Sequence, residues 1–328
     1  MPGASPLLTW WAQRPPAAGA AVMATGILSI GLHLTGYETL SRIALVLACA
    51  AWLALAGDFV ARLVRERERW LAEAGTPAAL TAVAATTVLG ARFSALGWQG
   101  VAEALLALAA VLWPGLLVLV VRHWGPRMPG AVFLGCVATQ GLAVLAAALA
   151  VAVGSAWLSH AALVLFWLGL VFYAAGLWHF DPRQVAHGAG DHWVAGGALA
   201  ISALAGSKLV TAGQAGLSLS GHGGPFLWSE GDNSVLRTVT VALLVLDLAW
   251  YCVLTVAELR WPRPRYDVRR WASVFPMGMT AVATLSVSAA VEVPWLRGPG
   301  QVLLWIAVAA WLAVAAQAVH SARAGRSG

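Results

Sequence analysis

The amino-acid sequence predicts an all-α integral membrane protein with about ten transmembrane helices, and three observations carry that prediction. Of the 328 residues, 60% are hydrophobic and 10% are charged, whereas a soluble domain has about a quarter charged residues. The mean hydropathy is +0.77. Apolar runs recur along the whole chain, and each is long enough to cross a hydrocarbon core of about 30 Å. Because lipid offers backbone groups no hydrogen-bond partners, these runs must be helices.

The predicted spans form a single transmembrane domain that covers residues 1–328. An even number of spans places both termini on the same side of the membrane. In chain order the predicted helices are Pro16–Leu34, Leu40–Val64, Pro77–Leu96, Val101–Val121, Gly130–Val153, Ala156–Phe180, His192–Ala212, Ser234–Leu259, Trp271–Val291 and Val302–Val319.

Loop charge predicts the orientation of the chain. The sequence has 20 basic residues. Five of them lie on the side opposite the termini or in the helix halves nearest to it, and the other 15 (20 − 5) lie on the side of the termini. Basic residues collect in cytoplasmic loops, so we expect a multi-pass cell-membrane protein with both termini cytoplasmic. The five exceptions are Arg42, Arg92, Lys208, Arg237 and Arg297.

Composition also argues against several classes of function. A net charge of +6 would suggest nucleic acid as the partner of a soluble protein, but here the positive charge follows the rule for cytoplasmic loops and no nucleic-acid partner is expected. Cys49, Cys136 and Cys252 lie in apolar runs without metal spacing. No nucleophile or metal signature is present, and the glycines of helix 7 follow no strand, as a phosphate loop would require. We therefore expect no metal, no cofactor and no enzymatic activity.

The odd-numbered and even-numbered helices differ in composition. Odd helices carry small and hydroxyl residues, whereas even helices are richer in Leu and Trp. Small residues let helix backbones approach closely and hydroxyls can face a wet path, while bulky apolar residues suit lipid. This contrast, together with the similar stretches around Thr25, Thr86 and Thr139, indicates five helical hairpins, each with an inner odd helix and an outer even helix. If the odd helices line a central pore, their small and hydroxyl residues form its wall. The candidate pore-lining residues are Thr25, Gly26, Thr86, Thr139, Ser202, Gly278 and Thr280.

Four charged residues in or near predicted helices are candidates for function. Arg92 and Lys208 lie in the outer parts of odd helices, where they could attract anions to a pore mouth or extend to the interface. Asp247 lies in the middle of helix 8, where a carboxylate needs a buried partner or a proton. It is therefore either a proton-coupling group or a structural hydrogen-bonding group. Asp58 precedes Arg62 by one turn, which favours an ion pair over a transport role.

Helix 9 contains an aromatic residue directly before a proline. Pro276 removes a backbone donor and should bend the helix, and Gly278 allows a close approach. The ring of Phe275 could therefore point toward the centre of the protein. Spacing alone favours ordinary packing of this ring.

Three stretches of the chain resemble the tellurite-resistance/C4-dicarboxylate transporter family, which also includes the slow-type plant anion channels. These stretches are Pro16–Ser29 (PAAGAAVMATGILS), Asp191–Ser202 (DHWVAGGALAIS) and Trp271–Thr280 (WASVFPMGMT). The resemblance implies a homotrimer of ten-helix protomers, each with a pore lined by odd helices. It further implies that Phe275, held beside Pro276, is the gate of that pore. The sequence departs from the family at Ala24, where Gly is commoner, which leaves the pore radius there open.

Two transport functions remain open from the sequence. One is a passive anion channel or uniporter, which fits a pore wall with few ionisable residues. The other is a proton-coupled C4-dicarboxylate carrier or an efflux transporter, for which Asp247 would be the titratable group. In either case the expected partners are small anions or dicarboxylates and the lipid bilayer. A membrane-embedded enzyme would need clustered His, Asp or Cys at membrane depth, which the sequence does not have.

Overall fold

The computed structural model of the chain describes residues 18–216, 230–262 and 267–324. Ten long helices dominate these residues, and we number them α1 to α10 in chain order. They are α1 (Gly19–Leu34), α2 (Glu38–Arg65), α3 (Thr81–Ala95), α4 (Gln99–Val121), α5 (Leu134–Val153), α6 (Ala156–His179), α7 (Val194–Gln214), α8 (Glu230–Arg260), α9 (Trp271–Ala290) and α10 (Arg297–Ala324).

Nine of the helices in the described residues, α2 to α10, are long and apolar enough to cross a membrane. The tenth, α1, is apolar but shorter, with 16 described residues, and Pro16 and Ala17 of the predicted first span lie outside the described residues. The prediction of an all-α integral membrane fold is confirmed.

The helices form an inner ring and an outer ring. In the membrane-spanning parts of α3, α5, α7 and α9, 67 to 89% of the residues are buried, whereas the even-numbered helices bury 11 to 33%. The fifth inner helix, α1, is buried along most of its length. The inner helices contact one another in the order α1, α3, α5, α7, α9 and back to α1, which closes the ring. The outer faces of the even helices are apolar, as lipid requires.

Each odd helix packs on the even helix that follows it in the chain, which gives the five predicted hairpins. Each even helix also contacts the next inner helix around the ring, so the hairpins interlock. Close contacts between inner helices depend on glycine. A Cβ at Gly26 would lie 2.7 Å from Val88 of α3, and a Cβ at Gly278 would lie 2.8 Å from Ile27 of α1. These glycines let the inner helices approach closely.

Helix ends differ from the predicted spans in two informative places. Helix α10 begins at Arg297 rather than Val302, because Pro299 in the first turn costs no internal hydrogen bond. A short helix that the hydropathy pattern does not indicate, Arg67–Ala74, connects α2 to α3.

Helices α3, α5, α7 and α9 are each preceded by a single 3₁₀ turn. These turns form one end of the inner ring. The turns are Pro77–Leu80, Gly130–Phe133, Asp191–Trp193 and Val268–Arg270.

Candidate functional site: a central cavity inside the inner ring

A cavity of about 80 Å³ lies inside the inner ring, at the end where the odd helices begin. This is the side that loop charge predicts to be cytoplasmic. Every inner helix, or the turn preceding it, contributes to the wall. The lining residues are Ala20, Met23, Ala78, Thr81, Ala131, Leu134, Asp191, Val194, Arg269, Ala272 and Phe275.

The lining residues repeat at a spacing of three along every inner helix. Pairs such as Ala20 and Met23, or Ala131 and Leu134, occupy one face of a helical turn, because residues i and i+3 lie on the same face. Four helices contribute two levels of side chains. Helix α9 contributes three levels, and the third is Phe275. The cavity is therefore a five-sided vestibule whose deepest lining residue is an aromatic ring.

Phe275 is 1% exposed and lines this cavity, one turn beyond Ala272. Helix α9 continues through the following Pro276. The Pro276 ring packs against α7 at Gly197, where an added Cβ would lie 2.9 Å from the proline Cγ. Contact between Pro276 and Gly197 therefore fixes the part of α9 that carries Phe275.

Two charged residues of the vestibule lie at its outer level. Asp191 is 6% exposed, and its Oδ1 has no hydrogen-bond partner among the described residues. In the turn before the neighbouring inner helix, Arg269 is half exposed and pairs with Asp267, with 2.9 Å between its Nη2 and the Asp267 Oδ2. Donation by Arg269 holds the pKa of the Asp267 carboxyl below its usual range. The mouth thus carries two carboxylates and one guanidinium.

A glycine turn brings these charged segments together. Gly190 has a φ of +126°, a conformation that side chains disfavour. A Cβ there would lie 2.8 Å from the hydroxyl of Ser273, which itself donates to the Gly190 carbonyl at 3.2 Å. The turn before α7 therefore packs directly against the start of α9. Sequence reasoning missed Asp191 and Arg269 as site residues, because both precede the predicted helices. Only the 3₁₀ turns before α7 and α9 bring these two side chains to the same cavity as Phe275.

The predicted pore-lining threonines make a different set of contacts. Three outer-helix tryptophans donate their indole N–H to these hydroxyls: Trp52 to Thr86 at 2.9 Å, Trp113 to Thr139 at 3.0 Å, and Trp311 to Thr25 at 2.9 Å. Each hydroxyl also donates to the carbonyl four residues earlier. These groups bond toward the outer ring, and none of the three residues lines the described vestibule.

The remaining pore-lining candidates also lie between helices. Ser202 donates to the carbonyl of Ala198 at 2.7 Å and lies 3.8 Å from the thiol of Cys136 on α5. Thr280 donates to Asp247 of α8 at 3.1 Å. Gly26 and Gly278 occupy the contacts between inner helices described above. A pore-lining role for this set stays a prediction.

Asp247 is completely buried between α8 and α9. Its Oδ1 accepts the hydrogen bond from Thr280, while its Oδ2 has no hydrogen-bond partner among the described residues. Helix α7 passes close by at Gly196, where an added Cβ would lie 3.9 Å from Oδ1. Asp247 does not line the vestibule.

Arg92 and Lys208, the predicted anion-attracting residues, differ in their surroundings. Arg92 is fully buried and pairs with Glu38 of α2 at 2.8 Å, while its Nε donates to Ser41 at 3.1 Å. Its charge is neutralised at the junction of α2 and α3. Lys208 on α7 is half buried and has no hydrogen bond or ion pair within the described residues. Of the two, Lys208 is therefore the one without a described ion-pair partner, and it lies on an inner helix.

Asp58 and Arg62 form the predicted ion pair, with 2.8 Å between Oδ2 and Nη2. No group of three or more metal-binding side chains occurs in the described parts of the chain.

A closed ring of five inner helices, wrapped by lipid-facing partners and containing a vestibule, defines a membrane channel or transporter. The chain matches the family model described as voltage-dependent anion channel (SLAC1) over residues 13–319. It belongs to this family, which confirms the resemblance found in the sequence.

Two curated relatives have also been found, both uncharacterized membrane proteins of Mycobacterium tuberculosis. They are MT1776 of strain CDC 1551 / Oshkosh and Rv1735c of strain ATCC 25618 / H37Rv. Each is 28% identical to this chain over 154 residues, which is 45% of this chain and 73% of the relative. Family membership supports transport of anions across a membrane.

Proposed function

We propose that this protein is an anion channel or uniporter in which Phe275 gates a path along the axis of the inner ring. One observation carries the proposal: all five inner helices line the vestibule, and its deepest lining residue is the Phe275 ring. Pro276 acts as the positioning residue, because its contact with Gly197 holds the turn of α9 that presents the ring.

A phenyl ring makes an effective barrier to an ion. It is bulky and apolar, and it cannot replace the hydration shell of an anion, so passage beside it carries a large desolvation cost. The other lining side chains next to the ring are apolar or hydroxylic, and the vestibule has two ionisable residues, Asp191 and Arg269. A wall of this kind suits passive movement of anions.

Replacing Phe275 with alanine tests the gate. We expect Phe275→Ala to open a constitutive chloride or nitrate current in planar bilayers, with a loss of stability smaller than the roughly 3–5 kcal/mol typical of a truncated core phenylalanine. Phe166→Ala is the matched control, since Phe166 is also fully buried but lies on the outer helix α6, away from the vestibule. It should lower thermal stability without adding current. A Phe275→Ala variant that loses stability like the control and adds no current would refute the gate.

A second candidate, a proton-coupled C4-dicarboxylate carrier or efflux transporter, is favoured by the unpartnered Oδ2 of Asp247. A buried carboxyl oxygen of this kind suits a proton-binding group. Asp247→Asn tests it in liposomes under an imposed pH gradient. Carrier function predicts wild-type malate uptake that needs the gradient and is lost in the variant. Anion current without a gradient, retained in the variant, favours the channel.

The proposal extends to assembly and orientation. The chain would form a single domain over residues 1–328, assemble as a homotrimer in the cell membrane, and place both termini in the cytoplasm. Family membership supports the membrane location and a transport rather than an enzymatic role. The basic loops support the orientation. Small anions or dicarboxylates would be the substrates, with no cofactor.

A further inference from the structure

A second and larger cavity, which we call the lateral pocket, lies outside the inner ring between the first two hairpins. Its volume is about 290 Å³, which approaches the size of small-molecule sites. Its walls come from α1, α2, α3 with its preceding turn, α4 and the short helix Arg67–Ala74. Most of the wall is apolar, including Leu55, Ala56 and Phe59 of α2 and Leu108 and Leu112 of α4.

The surroundings of the pocket indicate where an occupant would come from. Helices α2 and α4 both belong to the outer ring, and their outward side chains are apolar and exposed, such as Leu53 at 64% and Val111 at 75%. In a membrane-spanning chain this surface faces acyl chains rather than water. A pocket between two such helices therefore lies beside the hydrocarbon of the bilayer.

Polar groups in the pocket wall are concentrated toward the end of α2, on the predicted cytoplasmic side. Arg62 pairs with Asp58 at 2.8 Å and with Glu73 at 2.7 Å. Two carboxylates already pair with this guanidinium, so the charged residues that line the pocket carry no excess positive charge with which to select an anionic headgroup. Beside it, the indole N–H of Trp70 is buried and has no hydrogen-bond acceptor among the described residues.

We propose that the lateral pocket binds one acyl chain of a membrane phospholipid, with the ester carbonyl accepting from the Trp70 N–H. An apolar cavity with a single unused donor at its interfacial end fits a hydrocarbon chain that carries an acceptor oxygen at one end. The occupant adjoins the vestibule, since Ala78 and Thr81 line both cavities.

Photolabelling identifies the occupant through its position. The protein is reconstituted in phosphatidylcholine liposomes that contain a trace of phosphatidylcholine with a diazirine on one acyl chain. Lipid around the protein can label outer helices, whereas adducts on Ala82, Ala85 or Thr86 of the inner helix α3 require a chain inside the pocket. We expect adducts on these α3 residues in the wild type. Adducts confined to outer positions such as Leu53 and Val111 would overturn the proposal. Because this experiment uses the wild-type protein, misfolding of a variant cannot explain such a result.

Three variants sharpen the result. Ala56→Phe fills the pocket from α2 and should abolish the α3 adducts. The matched control Ala51→Phe adds the same ring at an exposed position of α2 and should keep them. Adducts on α3 that persist in Ala56→Phe would mean that the label arrives by another route, which contradicts the proposal. Trp70→Phe keeps an aromatic ring beside Phe59 but removes the indole N–H, and it should reduce the adducts several-fold. Labelling at the wild-type level in this variant would contradict the proposed hydrogen bond from Trp70 to the ester carbonyl.

Photolabelling measures lipid contact rather than flux. A negative result therefore leaves the channel proposal unaffected, and a failed gate variant leaves this one unaffected.

Discussion

Neutralising Asp267 at the mouth of the vestibule should raise anion flux, whereas neutralising its ion-pair partner Arg269 should lower it. Arg269 lines the vestibule and pairs with Asp267 at 2.9 Å. Because the pKa of Asp267 is lowered by hydrogen bonds from Arg269, the carboxyl is ionised at neutral pH. Asp267→Asn then makes the net charge of the mouth more positive by one, whereas Arg269→Gln makes it more negative by one. Asparagine can still accept the backbone hydrogen bond that Asp267 accepts from Arg269 at 2.8 Å.

The size of the effect follows from Coulomb's law. A unit charge acts on an anion about 8 Å away in water with about 0.5 kcal/mol. At 0.01 M salt the screening length is about 30 Å, so about 0.4 kcal/mol remains, which changes the local anion concentration about twofold. At 0.15 M salt the screening length falls to about 8 Å, and the change shrinks to about 1.4-fold. At low salt the two variants should therefore differ about fourfold, with the wild type between them.

Chloride flux from liposomes, measured at both salt concentrations, provides the assay. Arg270→Gln is the control, since Arg270 is the next residue but pairs with Glu258 of α8 and does not line the vestibule. It should change flux little at either concentration. Changes of the same sign in Asp267→Asn and Arg269→Gln, or changes that do not shrink with salt, would contradict an anion path through this mouth.

Two further predictions come from other contacts. Lys208→Met should lower anion flux at low salt, because this side chain has no ion pair within the described residues. Arg92→Met should instead lower the yield of folded protein, because it removes the hydrogen bonds of a fully buried guanidinium to Glu38 and Ser41. Equal salt-dependent losses of flux in both variants would contradict this distinction. Trp113→Phe should cost about 1 kcal/mol of stability by removing the hydrogen bond to Thr139, detected as a lower melting temperature in detergent. Trp157→Phe, at an exposed position, should show no loss.

The fold could be predicted from the sequence because the bilayer restricts the possibilities. Backbone groups without partners force each apolar run into a helix. The contrast between small residues in odd helices and bulky ones in even helices then separates the inner ring from the outer ring. Helix ends were harder to predict, because a proline such as Pro299 suits either a loop or the first turn of a helix.

The contacts of the polar residues could not be predicted to the same extent. An inner helix has two faces that tolerate a hydroxyl, one toward the axis and one toward the neighbouring hairpin, and periodicity does not distinguish them. The partner of Arg92, Glu38, is 54 residues away in the chain, so nothing local in the sequence reveals the pair. The 3₁₀ turns before α7 and α9 and the turn at Gly190 place Asp191 and Arg269 in the wall of the vestibule. A hydropathy pattern does not detect turns of this kind.

The hydrogen bonds of the threonines explain why a hydroxyl recurs on the inner helices. Lipid tails are as apolar as leucine, so the hydrophobic effect does little to hold helices together in a bilayer, and packing and hydrogen bonds take its place. Trp52, Trp113 and Trp311 each reach from one hairpin to the inner helix of the next, and the Trp311 bond closes the ring back to α1. These bonds therefore join adjacent hairpins rather than the two helices of one hairpin.

At the junction of α8 and α9, Asp247 takes the place that tryptophan holds at three of the other four junctions. Thr280 donates to it across the same kind of boundary, from the next inner helix to the preceding outer one. This equivalence favours a structural hydrogen bond as the role of Asp247 over a proton path, since the vestibule lies elsewhere. Asparagine would preserve an acceptor for Thr280, so retained flux in Asp247→Asn is the outcome that this geometry supports. Because such bonds hold adjacent hairpins together at four of the five junctions, they favour a version of the proposed gate in which the Phe275 side chain moves rather than the helices.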